Sequence, residues 1–278
     1  MKPLLVAHRG ASGRAPENTS AAFDLALEQG ADALELDVRP TRDGVLAVWH
    51  DVDVARTSRL DGRPLQGSLS ELEWDQIQRF DCGSWFNSAN PHLARPEFEN
   101  LRPMSLESVI DAYAHRTSLF IEIKIEDVAL ATALFIELWR RAFSGDSSRH
   151  YVLSEDARTL ALVYRAFPDL NLIQVIAGEH GPAWMNLDAI RYFVKGIAPW
   201  RSLLDRNLMI AAQHKGLGVY PYTVNNPSEL DLLDPRVSGV ITDFPGECRV
   251  ALAELSESEG AIALTRRERT RQSINIGG

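Results

Sequence analysis

Eight short apolar runs, most of them separated by segments of helical periodicity, constrain this chain more than any other feature. They begin at Leu4, Ala33, Leu119, Tyr151, Leu172, Lys195, Leu217 and Val240. Short apolar runs bounded by turn residues read as buried strands. Helices are expected over Ala21–Glu28, Ser105–Ala114, Val128–Phe143, Asp156–Ala166, Ser202–Lys215 and Pro227–Leu233, with another between Gly181 and Tyr192. Parallel neighbours in a sheet require such crossovers, so the alternation predicts an α/β fold, a (β/α)8 barrel of the TIM type. A length of 278 residues suits one such domain.

The second run opens an unusual stretch. In Ala33-Leu-Glu-Leu-Asp-Val38 the residues Glu35 and Asp37 stand two apart and point to the same side of a strand. Asp43-Gly44 reads as a tight turn, and Val45-Leu-Ala-Val-Trp-His50 as the returning arm, which brings His50 back to the level of the two carboxylates. A solvated strand edge would explain Glu-x-Asp without any site. The flanking Ala33, Leu34, Leu36, Val38, Val45, Leu46, Val48 and Trp49 argue for burial instead. Burying an unpaired charge costs several kcal/mol, a cost that a hard cation between the carboxylates removes.

Active sites of such barrels lie at the C-terminal ends of the strands. His8 and Arg9 end the first strand, Glu35 and Asp37 the second, Glu122 and Lys124 the third; Tyr222 and Asn225 follow the seventh, and Asp243 the eighth. Each has a structural explanation on its own: His8 as a satisfied core residue, Glu122 and Lys124 as an internal ion pair, Asp243 beside Pro245 as a turn-shaping residue. Three carboxylates, two histidines and two cations converging on one rim are harder to explain separately. Carboxylates with no thiolate or histidine ligand cluster suit magnesium or calcium, with manganese as a third candidate. Arg9 and Lys124 beside that ion would hold a phosphate. Paired imidazoles serve as base and acid near neutral pH. Together these groups describe phosphodiester hydrolysis.

Residues 52–103 are too long for a plain connection and read as a small inserted cap, with one helical piece near Ser70–Arg79. The barrel domain is expected over residues 1–255. A polar tail, 256–278, carries Arg266, Arg267, Arg269 and Arg271. A net charge of −9 disfavours nucleic acid or an anionic membrane as the main partner. Cys82 and Cys248 lack metal-ligand spacing, so neither a disulfide framework nor a zinc site is expected. The first residues are too short an apolar run for a signal peptide, and no long apolar segment follows, which makes a soluble cytoplasmic protein without membrane insertion the expectation.

The sequence resembles the glycerophosphodiester phosphodiesterase family. The matching elements are His8-Arg9-Gly10, Pro16-Glu17-Asn18-Thr19, Glu35-Leu36-Asp37-Val38, Asp43-Gly44, His50-Asp51, Arg56-Thr57, Gly83-Ser84-Trp85-Phe86, Leu106-Glu107, Glu122-Ile123-Lys124, Tyr222-Thr223-Val224-Asn225 and Gly239-Val240-Ile241-Thr242-Asp243-Phe244-Pro245. They span residues 4 to about 250 in the family's order. The resemblance implies a barrel of the phospholipase-C-like phosphodiesterase type, one divalent cation on Glu35, Asp37 and Glu122, an acid–base pair of His8 and His50, and Arg9 and Lys124 on the phosphate. The implied substrate is a small glycerophosphodiester, and the products are sn-glycerol 3-phosphate and an alcohol such as choline or ethanolamine. In the mechanism usually proposed for the family, the glycerol 2-hydroxyl attacks first and water then opens the cyclic phosphate. Tyr222 stands where the family usually has Trp, in contact with the glycerol or the alcohol. Two rival readings are a phosphodiesterase for lysophospholipids or phosphoinositides, favoured by an apolar groove under the cap, and a silent barrel that binds a phosphorylated ligand. The sequence leaves open whether the chain forms a homo-oligomer.

Overall fold

Eight parallel strands close into a barrel in the computed structural model, which describes residues 3–124, 128–177 and 187–255. In chain order these elements are β1 Leu4–Ala7, α1 Ser20–Glu28, β2 Ala33–Pro40, β3 Leu46–Val48, the small hairpin of β4 Arg59–Leu60 and β5 Arg63–Pro64, α2 Trp74–Ile77, α3 Ser84–Ala89, α4 Leu106–Tyr113, β6 Ser118–Ile123 and α5 Val128–Ala142. There follow β7 Tyr151–Ser154, α6 Ala157–Ala166, β8 Asn171–Ile176, α7 Leu187–Ile190, β9 Gly196–Pro199, α8 Arg206–His214, β10 Gly218–Val219 and β11 Gly239–Thr242, with a last helix over residues 245–255. The sheet runs β10-β9-β8-β7-β6-β2-β1-β11, with β3 added antiparallel to β2. Closure comes from backbone bonds between the end strands: Ser238 N–H donates to the Val219 carbonyl at 2.8 Å and Ile241 N–H to the Pro221 carbonyl at 3.0 Å.

The period of two along each strand separates two cores. Leu34, Leu36 and Val38 of β2 and Leu119, Ile121 and Ile123 of β6 face outward against the helices, in one cluster with Phe23, Phe135, Trp139, Leu160 and Leu208. The alternate residues Val6, Ala33, Phe120, Leu153, Ile173, Ala198, Tyr220 and Ile241 fill the barrel interior. Helix starts follow side-chain caps. Thr19 Oγ1 accepts from Ala22 N–H, Ser105 from Ser108, Asp156 from Arg158 and Asp205 from Leu208.

Several expected elements are shorter. The helix expected from Ser202 is a 3-10 turn, Arg201–Leu203, and then α8, because Asp205 caps a new helix start. The strand expected over Leu217–Val224 is a regular ladder only at Gly218 and Val219; Tyr220 and Tyr222 N–H still donate to the Ile197 and Pro199 carbonyls of β9, but Pro199 and Pro221 lack the N–H groups that would complete the ladders to β9 and β11. The pieces near Ser70 and at Pro227 are mostly 3-10, Leu69–Glu71 with α2 after it and Pro227–Leu232. Of the helix expected between Gly181 and Tyr192, α7 lies within the described residues; residues 178–186 and the tail 256–278 lie outside them. Residues 52–103 carry β4, β5, α2 and α3 and pack on the barrel through two apolar clusters, one with Ala47, Trp49, Val54, Leu69, Ile77 and Phe80, the other with Ala15, Ala22, Phe86 and Phe98. Among the described residues no helix is long and apolar enough to cross a membrane.

One buried residue makes this scaffold acid-sensitive. His150 is fully buried beside Trp139 and Phe143, and its Nδ1 accepts from Leu119 N–H at 3.2 Å. That bond requires the neutral ring, and burial, helped by the Arg149 charge, pushes its pKa down to about 4. The unfolded chain takes up this proton near pH 6.5, so between pH 6.5 and 4 the unfolded state holds more protons and stability falls with falling pH. Urea unfolding at pH 7 and pH 4.5 should show a loss about 2 kcal/mol larger in the wild type than in His150→Gln. Equal losses in both proteins would remove His150 from the acid response.

Candidate active site

The alternation that fills the barrel with apolar side chains also builds its polar floor. Ala33 of β2 and Phe120 of β6 lie in the interior cluster. Two residues further along each strand the same inward face presents Glu35 and Glu122, and Asp37 follows Glu35. Strand register sets Asp37 beside Glu122. The three carboxylates each offer an oxygen within 4.8 Å of the others, and all three residues are buried. The cavity above is lined by His8, Glu35, Glu122 and Tyr222, with Leu153, Val175, Ala198 and Ile241 as its apolar wall.

Neighbouring groups compensate only part of this charge. Arg9, at φ 56, turns its own N–H onto Glu35 Oε2 at 2.8 Å and sets its guanidinium Nε 3.1 Å from Asp37 Oδ2. Asn18, at φ 57, donates from Nδ2 to the same Asp37 oxygen at 3.0 Å. A left-handed backbone at non-glycine residues costs of order 1 kcal/mol each, and here it aims two donors at the cluster. Gly10, at φ +81, must be glycine, because a Cβ there would lie 2.6 Å from the backbone of Ala22 in α1. Lys124 Nζ sits 2.7 Å from Glu122 Oε1 and 3.7 Å from Asp37 Oδ1.

The titration of the cluster follows. Burial pushes Asp37 up, but the charges of Arg9, Lys124, His50 and His8 outweigh it and hold the group below the usual carboxylate range. Glu35 moves well up, through burial first and then the charges of Asp37 and Glu122. Arg9 and Lys124 resist burial because the carboxylates hold them charged. Glu35 Oε1 and Asp37 Oδ1 are buried without a hydrogen-bond partner. Unsatisfied carboxylate oxygens, an oxygen-only donor set and mutual repulsion fit a hard cation such as magnesium or calcium.

The two histidines expected at this rim each form a pair with an aspartate. His8 Nδ1 lies 2.6 Å from Asp243 Oδ1, which Ser12 Oγ also reaches at 2.9 Å, while Asn225 Nδ2 holds the other oxygen at 2.5 Å. His50 Nδ1 lies 2.6 Å from Asp51 Oδ1. The hairpin loop over residues 41–45 carries Gly44 in the left-handed region, and β3 pairs Val48 with Val38, so the chain returns His50 to the level of β2 as its pattern implied. With Nδ1 engaged, Nε2 is the nitrogen left for proton exchange on each ring. Tyr222 packs edge-on to Trp200 at 5.5 Å, and burial, then the charges of Glu122 and Glu155, push its hydroxyl pKa up.

Around these residues lies a layer that the sequence reading left out. Glu17 binds both Arg9 and Arg56, and Arg56 also binds Asp51. Asp243, read from sequence as a turn residue, instead holds the His8 ring. Asp51, adjacent to His50, was the one partner that sequence position could have indicated; Asp243 is 235 residues from His8.

A parallel barrel that gathers buried carboxylates, cations and paired imidazoles at the C-terminal ends of its strands belongs to the barrel enzymes of phosphate-ester chemistry. More specifically, this chain belongs to the glycerophosphoryl diester phosphodiesterase family, whose model matches residues 8–247. It is 33% identical over 251 residues to the glycerophosphodiester phosphodiesterase of Bacillus subtilis, covering 87% of this chain and 84% of that one. Its fold is similar to that of a phosphodiesterase from Oleispira antarctica in complex with the product sn-glycerol-3-phosphate (TM-score 0.78, 24% identity, 90% and 97% of the two chains). It is also similar to a glycerophosphodiester phosphodiesterase from Agrobacterium tumefaciens (TM-score 0.68, 26% identity, 88% and 98%).

A cation at the cluster should stabilise the native state alone. At a hundred times its dissociation constant the gain is about 2.7 kcal/mol, read as a rise in melting temperature that a chelator reverses. Glu35→Gln removes one repelling charge, so its metal-free form should melt no lower than the wild type while the metal-induced rise disappears. An undiminished rise in this variant would exclude Glu35 as a ligand.

Proposed function

We propose that this protein hydrolyses glycerophosphodiesters to sn-glycerol 3-phosphate and an alcohol. The observation that carries the reading is the buried cluster of Glu35, Asp37 and Glu122 within 4.8 Å, with Arg9 and Lys124 lying against it, in a chain of this family. In this reading the three carboxylates hold one divalent cation, magnesium or calcium, with manganese as the alternative. When bound, the ion neutralises charge on the phosphate and withdraws electrons from phosphorus. Arg9 and Lys124 take the remaining phosphate oxygens; both are held charged by their carboxylate partners. His8 and His50 form the acid–base pair. One imidazole Nε2 removes the proton from the attacking glycerol 2-hydroxyl while the other protonates the departing alcohol oxygen; water, with the two roles exchanged, then opens the cyclic phosphate to sn-glycerol 3-phosphate. Asp243 and Asp51 hold the two rings in place through Nδ1 and stabilise whichever ring is protonated. Tyr222 borders the same cavity and contacts the organic part of the substrate.

The leaving alcohol has a second space. A cleft of about 250 Å³ opens between the β2–β3 hairpin and the inserted segment, lined by Pro40, Val52, Leu69 and Leu130 as well as Arg39, Thr41, Arg42, Ser68 and Ser70, with Lys124 in its wall. A silent phosphate-binding barrel is disfavoured because both histidines and all three carboxylates are present.

A coupled assay for glycerol 3-phosphate release across a panel of glycerophosphodiesters should show turnover that a chelator abolishes and magnesium, calcium or manganese restores to different degrees. Release that persists in the chelator would end the metal-dependent reading. His8→Ala and His50→Ala should each lose about 100-fold or more in kcat while keeping the metal-induced rise in melting temperature. Normal turnover in either variant would take that histidine out of the acid–base pair.

A further inference from the structure

The inserted segment joins the charged groups of the site through Arg56. Its NH1 and NH2 donate to Glu17 Oε2 at 2.6 Å and Oε1 at 2.7 Å, a two-pronged contact, and its Nε donates to Asp51 Oδ2 at 2.5 Å. Each carboxylate passes the contact inward. Glu17 Oε1 also accepts from Arg9 NH1 at 2.9 Å, and Asp51 Oδ1 holds His50 Nδ1 at 2.6 Å. Arg9 in turn lies 3.1 Å from Asp37. Charges therefore alternate in sign along one line, Asp37, Arg9, Glu17, Arg56, Asp51, with His50 at its end. Asp37 begins that line in strand β2; Arg56 is the member that comes from the insertion. Trp85, also of the insertion, flanks the guanidinium with its ring centre 5.8 Å away.

We propose that Arg56 is a positioning residue that sets His50 and Arg9 together, so that the inserted segment is a fixed part of the catalytic apparatus. The inference rests on the functional reading given above. Arg56 itself stays clear of the reacting atoms. Only a guanidinium fork can bridge these two carboxylates, because one Nε and two terminal nitrogens diverge in a plane toward separate acids. Without it, Glu17 retains Arg9 as its partner and Asp51 retains the imidazole, but nothing fixes the two acids relative to each other. A displacement of about 1 Å in a reacting group is worth about 100-fold in rate.

The test is steady-state kinetics on glycerophosphodiester hydrolysis by the metal-loaded full chain. Arg56→Ala should lose about 100-fold in kcat, with KM changed far less. Arg56→Lys should recover little, since one ammonium cannot hold both acids. Added guanidinium should restore Arg56→Ala at least tenfold, while urea, planar but uncharged, should not. Glu17→Gln should share the defect, and the double variant with Arg56→Ala should be no worse than either single one, as for residues acting as a unit. Arg102→Ala supplies the control: its NH1 donates to the Arg79 and Phe80 carbonyls at 2.6 and 3.2 Å within the insertion and leads to neither His50 nor Arg9, so its rates should stay within twofold of wild type. If Arg56→Ala fails to fold, Arg56→Lys and Glu17→Gln carry the same comparison. Wild-type kcat in the Arg56 variants overturns the inference, as does an equal loss in Arg102→Ala without guanidinium rescue. A wild-type protein that hydrolyses no glycerophosphodiester overturns the functional reading, and this inference with it; an active wild type with unaffected Arg56 variants overturns this inference alone.

Discussion

Repulsion among three buried carboxylates is the constraint on which the rest of this molecule depends. Two unit charges at about 4 Å repel by about 4 kcal/mol at the effective dielectric of a protein site. Glu35, Asp37 and Glu122 form three such pairs within 4.8 Å. No arrangement of apolar side chains relieves that, so the surrounding chain supplies charge and hydrogen bonds: Arg9 and Lys124 as cations, Asn18 and the Arg9 N–H as dipoles. What these leave unsatisfied, Glu35 Oε1 and Asp37 Oδ1 above all, is the part that a cation would complete in the proposed reading. The opposite shifts of Asp37 and Glu35 express the same imbalance: one carboxylate takes most of the available positive charge, and the other is pushed toward its neutral form.

The barrel makes this arrangement affordable by separating it from the groups that stabilise the fold. Along β2 and β6 one face of each strand packs on the helices and the other turns inward. The lower inward positions are apolar and exclude water from below; the upper ones carry the acids. Charges therefore occupy the one end of the interior where loops can reach them. That is why the compensating groups come from outside the strands: Arg9 and Asn18 from the segment after β1, Lys124 from just past β6, His50 from the end of the hairpin.

How far the sequence revealed this depended on distance along the chain. Glu35 and Asp37 were legible because a period of two places them on one face, and His50 because a short hairpin fixes where its second arm returns. Glu122 and Lys124 needed the barrel to be assumed first, since only strand pairing brings them to β2. The partners of these residues were not legible. Asp243 meets His8 only because the last strand, β11, pairs with β1, and Glu17 meets Arg56 across 39 positions; local pattern carries no trace of either contact. Element limits failed where particular residues overrode periodicity, as Pro199 and Pro221 did for β10 and Asp205 for the start of α8.

The outer layer also explains why so many charges surround so small a site. A cation that compensates a buried carboxylate is itself buried and needs a second acid: Arg9 leans on Asp37 and also on Glu17. That second acid, drawn out of water, then needs another cation, which Arg56 provides from the insertion. Burial raises and the arginines lower the Glu17 carboxyl, and the arginines prevail. The chain of alternating charge ends where solvent takes over, at the half-exposed guanidinium of Arg56 and the partly exposed Asp51. A site that begins with three carboxylates in a barrel core can thus come to rest only several residues further out. Its true boundary is the point at which water, rather than another side chain, can complete the balance.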